Sequence, residues 1–480
     1  MISLKQALIR NAKEKPKKVI FVDEKRELTN KELLDGALRI AGQLKEFENR
    51  PIIIEMPKCV EAVIAMVGVL LSGNFYTILD PSMPKERKDI IEKTLNPGCK
   101  IISKSTPREG YLYFEDLLDS EIDESVACKP LNMSDPMYAI FTSGSTGVPK
   151  GVIVSHDAVM HYLEWFTTQF SIDEKTKFGN QTPLYFSMSV SDVLGTIYAN
   201  ATLYFIPHPF FSFPVYLIKY LEEKKINAIY WVPSALNMIS SFKALDNFKL
   251  PALKKILFAG EPMPPKVINY FLTHHEAYYA NLCGPTETTD ICTFYEINET
   301  IEESVPIGKA CAGLTTLVLK DGKPSDEGEL YVKGPFLAIG YYGNEKKTKE
   351  VFVQNPLNKQ YPEIVYRTGD LVRVRKDGNL IYLGRSDFQI KHMGYRIELG
   401  EIENKVYSID EIATCVVVYR DEKIILYYVG NIKEDELAVK LKSKLPNYMI
   451  PNKIYKEALI KYNLNGKIDR SYYKEKKEDK

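Results

Sequence analysis

The sequence predicts an α/β protein: a large N-terminal domain of two helix-covered sheets with a β-rich subdomain, then a small α+β C-terminal domain. Three observations carry this. From Pro51 to about Gly260 short Ile/Val-rich runs alternate with helical patterns, the signature of parallel sheets covered by helices. After Gly313 the texture turns to Gly-punctuated β segments, and a third change comes near Gly384. A chain of 480 residues is in any case too long for one core.

In order, Ile52-Ile53-Ile54 reads as a strand, Val60 to Leu71 as a helix and Tyr76 to Leu79 as a strand. The theme repeats with Leu217 to Lys225 (helix), Ala228 to Val232 (strand), Ser234 to Phe242 (helix) and Lys255 to Phe258 (strand). Leu314 to Leu319 and Glu329 to Val332 belong to the β-rich stretch. Cys415 to Tyr419, Ile424 to Val429, a polar helix from Glu434 to Leu445, and Lys453 to Tyr455 make up the α+β unit. The expected domain boundary is Ser386-Asp387, giving domains 1–385 and 386–480.

Composition removes several function classes. With 63 basic and 63 acidic residues, charge gives no reason to expect nucleic acid or an anionic membrane as partner. The longest apolar run, Ala62 to Leu71, is about half the roughly 20 residues of a spanning helix. The N-terminus lacks a signal-peptide h-region, so a cytoplasmic location is expected. Seven cysteines without a C-x-x-C pair read as reduced thiols, and His274-His275 lacks the spacing of a zinc site.

The stretch from Phe141 to Gly151 is chemically the most informative. Glycines let the backbone approach an anion, Ser and Thr hydroxyls add hydrogen bonds, and Lys150 adds charge, so Thr142, Ser143, Gly144, Ser145, Thr146, Gly147 and Lys150 form a candidate phosphate loop. It is not a Walker A motif, because Pro149 stands where that motif has Gly. The apolar Tyr138 to Ile140 before it and Val152 to Val154 after it place the loop between two strands.

Further blocks follow in a fixed order: Leu28 to Leu33; Leu71 to Tyr76 running to Asp80-Pro81; the phosphate loop; Asn281 to Glu287; Gly328 to Leu330 with Gly340-Tyr341; Tyr366 to Leu371; Gly384 to Lys391 continuing to Glu403; Leu445 to Pro451; and Asn465 to Arg470. Together they resemble the adenylate-forming superfamily over nearly the whole chain, in particular nonribosomal peptide synthetase adenylation domains and D-alanine:carrier-protein ligases. The resemblance implies that a carboxylate attacks the α-phosphate of ATP, pyrophosphate leaves, and a thiol then takes the acyl group. Catalysis of such a transfer is mainly positioning and charge neutralisation.

By that resemblance Thr142, Ser143 and Thr146 hold phosphates, Thr286 bonds the α-phosphate region, and Glu287 ligates Mg²⁺. Asn281, Cys283 and Tyr382 lie on the adenine side; Asp370 clamps the ribose hydroxyls with help from Arg385. Lys467 bridges substrate carboxylate, ribose and α-phosphate. The superfamily rotates its small domain between adenylation and thiol transfer, which makes that domain mobile, Asp387 the hinge, and Lys391 and Gly394 part of the second-step face. Without the joint pattern, Asp370 and Lys467 would read as surface residues, and Glu287 as a first-turn acid favoured by a helix dipole.

Two departures stand out. Cys283 replaces the aromatic ring expected to stack on adenine, leaving Tyr382. Ser187 follows Phe186 where domains for α-amino acids carry Asp, so the counter-charge for an α-ammonium is missing. The pocket residues aligned to the family are Ser187, Met188, Ser191, Trp231, Leu257, Ala259, Leu282, Asp290 and Ile291, mostly apolar. Asp290 is read either as a turn cap after Thr288-Thr289 or as the partner of an amine or hydroxyl displaced from the α position.

The resulting expectation is a free-standing ATP- and Mg²⁺-dependent ligase for an aryl or β-amino acid, loading a separate acyl or peptidyl carrier protein. The alternatives are an acyl-CoA synthetase, an amino acid or D-alanine carrier-protein ligase, and a non-catalytic ATP-binding regulator.

Overall fold

The computed structural model describes residues 2–105, 107–128, 130–143, 148–385, 389–461 and 468–476. Two compact units are present. The first comprises Met1–Pro81, Thr94–Ile140 and Gly151–Ser386; the second comprises Ser82–Lys93, Phe141–Lys150 and Asp387–Lys480.

In the first unit the Ile/Val-rich segments form parallel sheets. Pro51–Glu55 lies between Phe75–Leu79 and Cys99–Ile102, parallel to both and buried at every position, which is why it shows no apolar/polar alternation. The helix Val60–Leu71 is buried everywhere except Glu61, so its apolar run is core. A second sheet runs, edge to edge, Lys309–Ala310, Thr293–Glu296, Tyr278–Cys283, Lys255–Phe258, Ala228–Trp231, Lys177–Asn180, Thr202–Phe205, Val19–Val22 and Glu27–Thr29. Its centre is parallel, and at one side Tyr278–Cys283 pairs antiparallel with Thr293–Glu296. Ligands in such sheets bind beyond the carboxyl ends of the strands. Here those ends are Asn180, Trp231, Phe258 and Cys283.

The β-rich segments form a third, antiparallel sheet in which Glu327–Lys333 pairs with Thr315–Lys320 and with Ile364–Val374. Ile364–Val374 also pairs with Leu380–Arg385, setting Asp370 opposite Arg385. The helices at 217–225 and 234–242 begin earlier than the apolar pattern suggests, at Pro214 and Pro233. In both, proline takes the first helical position, where its missing N–H costs nothing.

The second unit has its own core. Ile412–Arg420, Lys423–Gly430 and Lys453–Lys456 form a sheet covered by the helices Leu399–Tyr407 and Glu434–Lys444, with Ile402, Val417, Leu426 and Leu441 at its centre. Among the described residues no helix is long and apolar enough to cross a membrane, and all seven cysteines are free thiols.

Candidate active site

The acyl-side residues converge in the first unit around a buried carboxylate. Asp290 Oδ2 accepts three hydroxyls: Ser191 Oγ at 2.7 Å, Tyr162 at 3.0 Å and Tyr230 at 3.1 Å. Tyr162 and Ser191 are also 2.6 Å apart. Burial pushes the Asp290 carboxyl up to about 6, opposed by hydroxyl donation from Ser191, Tyr162, Tyr230 and Ser187. Burial likewise drives both tyrosines well above their usual range, so they remain neutral donors. Asp290 is no turn cap. Its carboxylate is fully interior, and the turn before it is closed by backbone.

That turn is strained. Thr289 has φ 67 and ψ −60, and the Asp290 N–H donates to Thr288 C=O at 2.8 Å, so Thr289 is the centre of a γ-turn of the rare left-handed-φ kind. A β-branched residue is a poor choice for this backbone. Its hydroxyl compensates by donating to Phe336 C=O at 2.8 Å. Gly284 lets the segment lie this close: a Cβ there would sit 2.5 Å from the Asp290 carbonyl oxygen.

The remaining pocket residues are apolar or neutral. Trp231, Leu257, Ala259, Leu282, Met188 and Ile291 are buried, and Ser187 is half-buried. The Trp231 indole N–H donates to Gly179 C=O at 2.7 Å, and Phe211 packs edge-on against it at 5.2 Å. Ser191 lies on a π-helical turn, Val190–Leu194, and such turns are frequent at functional sites.

The nucleotide-side residues follow a different plan. Asp370 is buried; its Oδ1 meets Arg385 at 2.9 Å, and Arg385 also donates to Thr368 C=O. The Thr368 hydroxyl accepts the Asp370 N–H and donates to Leu330 C=O. Glu287 sits in the three-residue turn Thr286–Thr288, too short for a dipole to select it, fully buried with Tyr341 donating to Oε1 at 2.6 Å. Asn281 is tied by its amide to Pro306 C=O, Cys283 ends its strand buried, and Tyr382 packs on the core beside Val372.

In the second unit the Thr142 hydroxyl is buried and lacks a partner among the described residues. Ser143 Oγ donates to Arg396 C=O at 2.6 Å, and Lys150 Nζ lies 3.8 Å from Glu398. Lys391 is on Gln389–His392, paired with Arg396 of Tyr395–Glu398. Gly144, Ser145, Thr146, Gly147, Asp387 and Lys467 lie outside the described residues.

The sequence matches the family described as AMP-binding enzyme over residues 8–342. The chain belongs to that family. It is 30% identical over 491 residues to tyrocidine synthase 3 of Brevibacillus parabrevis, covering 98% of this chain but only 8% of that far longer relative. It is 30% identical over 474 residues to a D-alanine–D-alanyl carrier protein ligase of Staphylococcus haemolyticus, covering 95% of each. Its fold is similar to an artificially fused adenylation–PCP di-domain of NpsA-ThdA from Klebsiella oxytoca, with TM-score 0.82, 19% identity, and 94% and 93% of the two chains covered. This AMP-binding enzyme is therefore an adenylate-forming ligase of the superfamily that contains peptide synthetase adenylation domains and D-alanine carrier-protein ligases. Enzymes of this family use ATP.

Sequence reasoning missed Tyr162, Tyr230 and Tyr341, the hydroxyls that hold Asp290 and Glu287. Tyr162 and Tyr230 sit in apolar runs that read as core, and nothing in the local pattern separates a core tyrosine from one aimed at a carboxylate. Tyr341 did stand in a recognised Gly-Tyr block, which was the one available signal.

Proposed function

We propose that this AMP-binding enzyme activates a β-amino acid or an amino- or hydroxyl-substituted aryl acid as its acyl-adenylate, then passes the acyl group to the phosphopantetheine thiol of a separate carrier protein. One observation carries the choice of acid. Asp290 is a buried carboxylate that, among the described residues, is satisfied only by hydroxyls, while Ser187 occupies the place of the usual α-ammonium partner. A buried anion without a cation is costly. A substrate ammonium or hydroxyl donating to Asp290 offsets that cost, whereas Ser187, itself a hydroxyl donor to Asp290, supplies no anion of its own for an α-ammonium.

In the first half-reaction an oxygen of the substrate carboxylate attacks the α-phosphorus of ATP and pyrophosphate leaves; in the second a thiol displaces AMP. Asp370, held by Arg385 and Thr368, receives the ribose hydroxyls. Thr142 fits a phosphate role because its buried hydroxyl lacks a partner among the described residues; Ser143 and Thr146 act beside it, and Thr286 serves the α-phosphate. Glu287 is a hard oxygen donor suited to Mg²⁺, which when bound neutralises phosphate charge. Lys467 supplies the cation of the first step, Lys391 belongs to the face used in the second, and Asp387 is the hinge. The carrier acceptor is supported by relatives whose names include a carrier protein.

ATP/pyrophosphate exchange across D-alanine and matched α-amino, β-amino and aryl acids tests the choice of acid. Strong exchange with ordinary α-amino acids or D-alanine alone would refute it. Offering CoA and a phosphopantetheinylated carrier as acceptors tests the second half; preference for CoA would make this an acyl-CoA synthetase.

A further inference from the structure

Behind Ser191 a line of polar side chains runs away from the pocket. Lys58 Nζ donates to Asn180 Oδ1 at 2.8 Å and to Gln181 C=O at 3.1 Å. Asn180 Nδ2 donates to Asp192 Oδ2 at 2.7 Å. Asp192 is the next residue after Ser191 on the π-helical turn, so the turn points one side chain at Asp290 and the next at Asn180. Asn180 ends its strand, and the residue before it, Gly179, holds the Trp231 indole. One strand end thus anchors two pocket residues.

We propose that Lys58, Asn180 and Asp192 form a directional brace of positioning residues, which fixes the turn carrying Ser191 and thereby tunes how Asp290 reads the acyl group. The proposal rests on the reading of Asp290 given above. The direction comes from chemistry. An amide between a cation and a carboxylate has one satisfying orientation, oxygen toward lysine and nitrogen toward aspartate. A direct Lys–Asp pair would neutralise charge equally well, but it would not transmit an orientation from the strand end to the turn. Asn180 is the only side chain bonded to Asp192 among the described residues, and Asp192 Oδ1 is buried without a partner. On its Asp192 side the turn is therefore tied to the strand end by a single side-chain bond. Asp192 and Asp290 also repel one another across the turn, and burial raises Asp192 to about 7 while lowering Lys58 to about 8. The brace and the pocket carboxylate are thus linked electrostatically and through Ser191, the chain neighbour of Asp192 and a hydrogen-bond donor to Asp290.

The test compares wild type with Asp192→Ala, Asn180→Ala and the double variant Lys58→Met/Asp192→Leu. Removing one member strands a buried polar group, so a drop in Tm alone proves nothing; the double variant removes both charges, leaves only the neutral Asn180 amide unpaired and is expected to regain part of the lost Tm. The first readout is exchange preference between 4-aminobenzoate and 4-methylbenzoate, and between 3-aminobutanoate and butanoate. Each brace variant, the double one included, should lose about tenfold of that preference while KM for ATP stays within about twofold, as expected for a charge-assisted hydrogen bond acting at one step removed. Unchanged preference, or recovery of preference along with Tm in the double variant, would overturn the brace. The second readout needs no substrate: amide hydrogen exchange of the free protein over residues 186–195 should lose protection locally in every brace variant. Unchanged protection there would overturn the proposal, whereas absence of exchange with every acid in wild type would overturn the proposed function instead.

Discussion

The two sides of the site in the first unit handle buried carboxylates in opposite ways. On the nucleotide side Asp370 has a permanent cation, Arg385, 2.9 Å away. On the acyl side Asp290 has none among the described residues and is held by the neutral hydroxyls of Ser191, Tyr162, Tyr230 and Ser187. The Arg-paired carboxylate is electrically complete before any ligand arrives, as suits a part used in every turnover whatever the acid. The hydroxyl-bound carboxylate keeps its charge on offer and so can discriminate. On the proposed function, selectivity resides where compensation is incomplete.

Variants can break or sharpen this contrast. The largest effect is expected from Asp370→Ala or Glu287→Ala, which should lower pyrophosphate exchange on the order of 100-fold with every acid, since both serve the common nucleotide. Loss confined to some acids would erase the distinction. Next comes Asp290→Ala, expected to raise KM for an amine-bearing acid roughly 10- to 100-fold and leave KM for ATP unchanged. A matched rise in KM for ATP would place Asp290 in a general structural role.

The third expectation concerns pH. Because the Asp290 carboxyl is raised, it is neutral below about 6 and ionised above. Affinity for a cationic acyl group should therefore fall as pH drops through about 6, and the limb should vanish in Asp290→Asn. The groups facing it are Asp192, Tyr138, Tyr162, Tyr230 and Cys311, and burial raises all of them, so the tyrosines and the thiol stay neutral through this range while the two buried carboxyls hold each other up. The stability sign runs the other way. The folded chain binds this proton more tightly than the unfolded one, whose value is about 4, so the group costs stability as pH rises from there to about 6. A limb near the ordinary carboxylate value would mean that Asp290 is solvated. The smallest effect belongs to Gly284→Ala, expected to cost about 1–3 kcal/mol through the clash with the Asp290 carbonyl. Thermal denaturation reads it, and an unchanged Tm would show that the segment has room to move.

The fold was legible wherever burial writes itself into composition. Ile52 to Ile54, the helix Val60–Leu71 and the strand Lys255–Phe258 were identified from apolar runs because both faces of those elements are covered. Glu287, Asp370 and Arg385 stand in blocks that are local in sequence, which is why a local reading singles them out. Asp290 stays ambiguous in the sequence, because what separates a turn cap from an interior carboxylate is 99 residues away at Ser191 and 128 away at Tyr162. The same holds for Lys58 and Asn180, 122 positions apart. A contact between distant segments leaves no periodicity for a local reading to detect.

The γ-turn at Thr289 sets a boundary on redesign. Only two residues separate Glu287 from Asp290, and the strained turn between them has no slack. An insertion or deletion here would dislocate the nucleotide-side acid and the acyl-side acid together. Reprogramming this pocket must therefore proceed by exchanging side chains on a fixed backbone, and loop grafting across residues 287–290 should yield inactive chimaeras rather than enzymes of altered taste.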